Sequence, residues 1–349
     1  MKRFTLFVAA LLLAPGLASP IAAQDDLVSI TEWEVPWADS RPRDPHVGPD
    51  GRVWFVGQRS DYVAVLDPAD GEFDRFDLPE GAGPHNLIVD DDGTVWYAGN
   101  RVANIGELDP ETGEIVEHAM PDEAARDPHT LIFDGEGGIW FSVQGGNFVG
   151  HFDKATGETR LVEAPEAPGR GGSMGSSRPY GIKLDSRGHP WIALFNTNRL
   201  GTVDPGTMAM ESFELPEGAR PRRLVVDSED NVWYVDYARG KLGRYVPSSG
   251  ELTEWANPGG DGSRPYGMAI DAADRIWFVE TGSAPNQFVG FDPETESFFS
   301  VTPVGGPEGA IRHMYYDEDD NVVWFGTDWD TVGRATLPPL NRRIVSHHP

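Results

Sequence analysis

Tryptophan recurs along this chain at Trp54, Trp96, Trp140, Trp191, Trp233, Trp277 and Trp324, at successive intervals of 42, 44, 51, 42, 44 and 47 residues. A period of about 40–50 residues is that of one β-propeller blade. The stretch around Trp96 shows why. Leu87-Ile88-Val89, Val95-Trp96-Tyr97-Ala98 and Ile105-Gly106-Glu107-Leu108 are short apolar runs separated by Asp/Gly turns, and Ile115-Val116-Glu117-His118-Ala119 follows as a fourth. Four short strands per repeat fit a blade. Seven repeats predict an all-β, seven-bladed propeller.

The two ends of the chain complete that pattern. Ser29 to Pro36 is similar to the outer strands Phe73–Pro79 and Met210–Pro216, yet has no blade of its own. Thr331 to Ala335 reads as a third strand with no fourth after it. Pairing the first segment with the last blade is expected to close the ring and remove exposed strand edges. Residues 24–340 are then one domain. Before it, Lys2 and Arg3 precede the apolar run Phe4–Leu13, and Ile21-Ala22-Ala23 offers a cleavage site. Residues 1–23 read as a secretory signal, with an apolar run too short to span a bilayer. The expectation is an exported monomer, periplasmic or secreted, with no membrane span. Residues 341–349, with Arg342-Arg343, form a basic tail. The chain has no cysteine, so an exported fold has packing alone to rely on. A formal net charge of −28 argues against a nucleic-acid partner.

In a propeller the first strands line the central channel, and they start where the second strands end. Eleven residues before each blade Trp stand Arg43, His85, His129, Tyr180, Arg222, Tyr266 and His313. The extra Val in Val322-Val323 makes Arg312 an equal candidate in the last blade. The second strands run out at Gln58, Asn100, Gln144, Asn196, Tyr237, Glu280 and Asp328. Polar groups from every blade therefore converge on one mouth, the default place for a small-molecule ligand. Arg43, Tyr180, Arg222, Tyr266, Asn100, Glu280 and Arg312 are the candidate substrate contacts. The cluster His85, Asp127, His129 and Gln144 has the composition of a divalent-metal site, with His85 and His129 as ligand or general base. The same histidines are equally explained as a hydrogen-bonded polar lining. Asp44-Pro45-His46 repeats the Asp-Pro-His tripeptide out of phase, so His46 is expected to point elsewhere. The longest interval contains a Gly/Ser-rich insertion at Pro165–Ser177, and a shorter one lies at Gly282–Asn286; both should overhang the mouth.

The motifs Arg178-Pro179-Tyr180-Gly181-Ile182, Gly48-Pro49-Asp50-Gly51-Arg52-Val53-Trp54-Phe55 and Ile105-Gly106-Glu107-Leu108-Asp109-Pro110-Glu111-Thr112-Gly113-Glu114 resemble those of the virginiamycin B lyase, or streptogramin lyase, family over about Ile30 to Leu337. The resemblance implies a seven-bladed propeller that opens the ester of a cyclic depsipeptide by elimination, with Mg2+ polarising the ester and a histidine taking the α-proton. It also implies a His at the start of each of the last two blades, an acid two residues before the second, and a Glu four residues after the last blade Trp. Here these positions fall on Tyr266, on Arg312 or His313, near Ala310, and on Asp328, which keeps the carboxylate. The chain thus departs from the family pattern at most of them. His129, His85, Asp328 and His313 are the candidate catalytic residues on this reading, because His85, Asp127, His129 and Gln144 reproduce a similar spacing four blades earlier. The competing expectation is a non-catalytic propeller that binds a small molecule or protein.

Overall fold

The computed structural model describes residues 28–168, 174–306 and 308–340. They form seven four-stranded antiparallel sheets around a common axis, plus a two-stranded ribbon pairing Ala167–Pro168 with Met174–Gly175. The first strands of blades 1 to 7 are Pro42–Val47, Pro84–Val89, Pro128–Phe133, Pro179–Leu184, Pro221–Val226, Pro265–Ile270 and Met314–Asp317. The ring closes as expected. Ser29–Glu34 pairs antiparallel with Thr331–Thr336, in a register that sets Trp33 opposite Val332, and supplies the outer strand of blade 7. The expected signal segment and basic tail lie outside the described residues, as does the centre of the Pro165–Ser177 insertion. Among the described residues no helix is long and apolar enough to cross a membrane.

Local chemistry explains why each repeat makes the same blade. In blades 4, 5 and 6 an Asp opens the first hairpin six residues before the blade Trp. Asp227 accepts backbone N–H bonds from Glu229 and Asn231 and the Trp233 indole N–H at 2.8 Å; Asp271 holds Trp277 at the same distance. One carboxylate therefore shapes the turn and fixes the core ring. The second hairpin uses Asp differently: Asp109 caps its turn by accepting from Glu111 N at 2.8 Å and from the Thr112 hydroxyl. The Gly of the Ile-Gly motif has a packing reason. Gly106 lies opposite Tyr97, and a Cβ there would come within 2.0 Å of the ring.

The core lies between blades. Trp54 and Val56 of blade 1 pack with Leu87, Val89 and Tyr97 of blade 2, while Val53 and Phe55 pack with Trp324 and Val332 of blade 7. No blade buries its faces alone, so closure is needed for the first and last to be covered.

One irregularity places the site. In blades 2 to 6 the leading Pro pairs with the end of the second strand, after which the register slips, so that two residues oppose one: Pro84 faces Gly99 and Leu87 faces Tyr97, with His85 and Asn86 in between. Blade 1 has the same bulge one residue later. A bulge re-aims side chains, and here it turns two successive residues toward the axis.

Removing the chain up to Pro36 should open the ring. Burial of Val28 and Val35, 2% and 7% exposed, contributes at least about 3 kcal/mol by itself. Thermal unfolding followed by circular dichroism should show a lower, broader transition, and size-exclusion chromatography should show self-association through the freed Thr331–Thr336 edge. An unchanged sharp transition would contradict the closure role.

Candidate functional site

The bulges of blades 1 to 6, with the residues leading into Met314–Asp317 in blade 7, stack two layers of side chains on the axis. The upper layer, at the mouth, holds Arg43, His85, His129, Tyr180, Arg222, Tyr266 and Arg312. The lower holds Asp44, Asn86, Thr130, Arg223 and His313. Arg312 and His313 thus both face the axis, at different heights. The sequence reading captured one residue per blade and missed Asp44, Asn86, Thr130 and Arg223, because a regular strand sends alternate residues to opposite faces. The signal that could have found them is the Pro that stands two places before a second polar or small residue in blades 1 to 6.

Arg223 crosses the channel from blade 5. Its Nη1 donates to Thr130 Oγ1 of blade 3 at 3.0 Å and its Nε to the Arg312 carbonyl of blade 7 at 3.2 Å, and Nη2 forms an ion pair with Asp44 of blade 1 at 3.6 Å. That last separation is too long for a hydrogen bond, and Nη2 is buried without a hydrogen-bond partner. Asp44 also accepts from Arg43 Nε at 3.3 Å and Asn86 Nδ2 at 3.2 Å. Burial pushes its pKa up, but its interactions with His313, Arg43 and Arg223 prevail and leave it lowered.

Above this layer the mouth is aromatic and cationic. The Arg222 guanidinium lies 3.6 Å from the Tyr266 ring centre and 4.4 and 4.7 Å from those of Tyr237 and Phe195. The hydroxyls of Tyr180 and Tyr266 share a short hydrogen bond. Burial raises the Tyr266 phenol, yet Arg222, Arg43, Arg223 and Arg312 together bring it down to about 7, while burial and the Tyr266 charge push Tyr180 up. The pair therefore carries one ionisation near neutrality. On the other side of the mouth Asp328 is clamped by Arg312, at 3.1 and 2.7 Å, and by Arg41 at 2.9 Å.

The proposed histidine cluster forms only in part. His85 and His129 stack with ring centres 3.7 Å apart, and His85 Nδ1 meets the His129 carbonyl at 3.2 Å. Burial, and then nearby arginines (Arg43 for His85, Arg223 for His129), holds both pKa values well below 6.5. Asp127 turns aside: Asn100 and Gln144 donate to its two oxygens, and Gln144 in turn accepts from Arg178 at 2.7 Å. Glu280 is buried and accepts from Gly259 N at 3.0 Å, so it supports a loop. His46, expected to point elsewhere, lines the far end of the channel.

This donor set does not fit a divalent cation. The oxygens of Asp44 and Asp328 are engaged by guanidiniums, Asp127 is engaged by amides, and the imidazoles stand in the field of Arg43 and Arg223. Among the described residues no group of three or more His, Cys, Asp or Glu side chains could hold a metal ion. Of the expected ligand set His85, Asp127, His129 and Gln144, the Asp127 carboxylate is occupied within an amide network formed with Asn100 and Gln144. A groove of about 660 Å3 lies beside Trp191 and Phe213, between the hairpins of blades 4 and 5. It shares no residue with the axial cluster, which holds the buried titratable groups.

The sequence matches the Virginiamycin B lyase family over residues 18–168 and 173–339. No curated protein matches the chain in sequence. In structure it is similar to a virginiamycin B lyase from Staphylococcus aureus, at 24% identity and a TM-score of 0.78, over 89% of this chain and 99% of the other. It is also similar to a streptogramin B lyase, at 24% and 0.77 over 89% and 98%. The extracellular domain of a hybrid two-component system from B. thetaiotaomicron follows at 15% and 0.66, over 90% of this chain and 43% of that one. At these identities the likeness is one of fold.

Two measurements test the electrostatics. His46 and His313 titrate at about 4 and about 3, and His85 and His129 lie well below 6.5. Folded values below the unfolded one mean stability that is complete above pH 6.5 and is lost as pH falls toward the folded values. The slope of unfolding free energy against pH below 6.5 should flatten in His129→Gln, by up to about 1.4 kcal/mol per pH unit, one proton's worth; an unaltered slope would mean the imidazole is already charged. Tyr266 has the opposite window. Its folded pKa lies below the ordinary 10.0, so its ionisation adds stability as pH rises from 7 to 10 and none below 7. The near-ultraviolet phenolate band should show one titration near pH 7 that Tyr266→Phe abolishes.

Proposed function

The chain belongs to the virginiamycin B lyase family, and from that membership we propose that it is an exported, streptogramin-lyase-like propeller whose mouth binds a small carboxylate-bearing molecule without a divalent metal. The charge count carries this reading. Arg41, Arg43, Arg222 and Arg312 lie around the mouth with Asp328 between two of them, and Arg223 and Asp44 are paired in the layer just beneath, so five positive charges meet two negative ones. The neighbouring histidines are neutral. Arg178 and Asp127 at the edge offset each other. Arg222 supports it in particular, because its head group is held flat among aromatic rings and its Nε is buried without a hydrogen-bond partner. A planar guanidinium fixed in this way is pre-organised for a carboxylate. Export rests on the signal-like N-terminus.

A second reading, lyase opening of an ester or lactone, is favoured by Tyr266. It occupies the place where the family resemblance puts the base, and its proton is poised near neutral pH. On this reading the base is a phenolate, and His85 and His129 only pack against each other and against Tyr180.

Calorimetric titration of the mature protein with small carboxylates and their neutral amides decides the main reading. Carboxylates should bind and amides should not. Arg222→Gln should weaken binding about tenfold or more, and affinity should fall as pH rises through 7, because the Tyr266 phenolate cancels one positive charge. A folded protein that binds no carboxylate would sink the proposal. Ring opening of lactones or depsipeptides that is lost in Tyr266→Phe would establish the second reading instead.

A further inference from the structure

Below Arg223 the channel widens again into a cavity of about 190 Å3, separate from the mouth. Its upper end is formed by Arg223, His313, Asn86 and Thr130, and its lower end by Lys183, His46 and Tyr315. These last three come from the far ends of the first strands or, for His46, from just beyond the blade 1 bulge. They are only half-buried, so the cavity is reached from the face opposite the mouth.

The lining is unusual for so acidic a chain. It contains two cations, Arg223 and Lys183, two neutral imidazoles, an amide and two hydroxyls, and no carboxylate. Three features show unmet donor capacity. Arg223 is 3% exposed and its Nη2 has no hydrogen-bond partner. His313 Nδ1 is likewise buried and unpartnered. The Lys183 ammonium makes no hydrogen bond or ion pair among the described residues. The nearest carboxylate, Asp44, is already shared by Arg43, Asn86 and Arg223. Arg223 shares its counterion Asp44 with Arg43, and a buried donor without an acceptor is rare and costly.

We infer that this lower cavity is a second site, specific for one small oxyanion of phosphate or carboxylate type, held between Arg223 and Lys183. Size supports the choice. The volume corresponds to about six water molecules at roughly 30 Å3 each, below the ~300 Å3 at which pockets for drug-sized ligands begin. Acetate or inorganic phosphate fits; a cyclic depsipeptide does not. The charge environment agrees: burial and the Arg223 charge lower the Lys183 pKa to about 8, and an anion beside it would reverse that shift. Asn86 and Thr130 supply polar contacts at the upper end.

The test uses the mature chain at constant ionic strength, with sodium phosphate, sodium acetate and sodium chloride as probes, read by titration calorimetry and by the thermal midpoint. One phosphate or acetate should bind per cavity and raise the midpoint. Lys183→Met removes no hydrogen bond or ion pair among the described residues, so the fold should persist while affinity drops about tenfold or more; Lys183→Arg should retain binding. Arg222→Gln, which alters only the mouth, should leave this binding in place, so a failure of the mouth proposal and a failure of this one are seen separately. Equal affinity in Lys183→Met, chloride binding as well as the oxyanions (an adventitious ion only), or no oxyanion effect in the wild type would overturn the inference.

Discussion

A single guanidinium lies where the channel would otherwise run through. Arg223 reaches from blade 5 to partners in blades 1, 3 and 7, and so ties together parts of the ring that share no strand pairing. Burying such a group is expensive, and pairing it with Asp44 offsets that cost without adding much net stability. Its larger effect is on shape. It divides the channel into an aromatic, cationic mouth and a small cavity with apolar walls and polar groups at its ends, and the axial candidate residues are defined by which side of it the side chain lies on.

The contrast between surface and axis follows from the same arrangement. The whole chain carries a formal charge of −28, which would repel an anion at long range, but at physiological ionic strength that field decays over about 8 Å. On the axis the arginines are close together and partly desolvated, where their interaction with an anion is strongest. Attraction there is local, which suits selection of a small ligand by contact geometry more than capture by steering. Tyr266 is part of this balance. Four guanidiniums favour its phenolate, and the phenolate in turn moderates their mutual repulsion.

Against the family pattern, the positions expected to supply imidazole and acid around a metal carry a phenol, a guanidinium and a carboxylate already clamped by two arginines. Blade geometry is kept while arginines gather around the mouth, the arrangement on which the proposed anion binding rests. Because all seven blades share one axis, a change of chemistry needs only a few substitutions at the strand starts and leaves the inter-blade core untouched.

The periodic residues were decisive for the fold. Seven Trp at blade spacing, Asp/Gly hairpins and an orphan strand at each end specify seven blades and their closure, because these features act through local turn chemistry and through contacts that repeat identically from blade to blade. The ring of polar residues eleven places before each Trp was legible for the same reason. What each of them does was not. Whether His85 and His129 coordinate, stack or sit idle depends on Arg43 and Arg223, which arrive from blades 1 and 5. Whether Asp127 is a ligand depends on Asn100 and Gln144. The second axial layer depends on a bulge that alternation cannot reveal. Sequence alone determined the repeat and its period; tertiary structure decided the charge, pairing and height of each axial side chain, because those are set by neighbours distant in the chain and met only once the ring has closed.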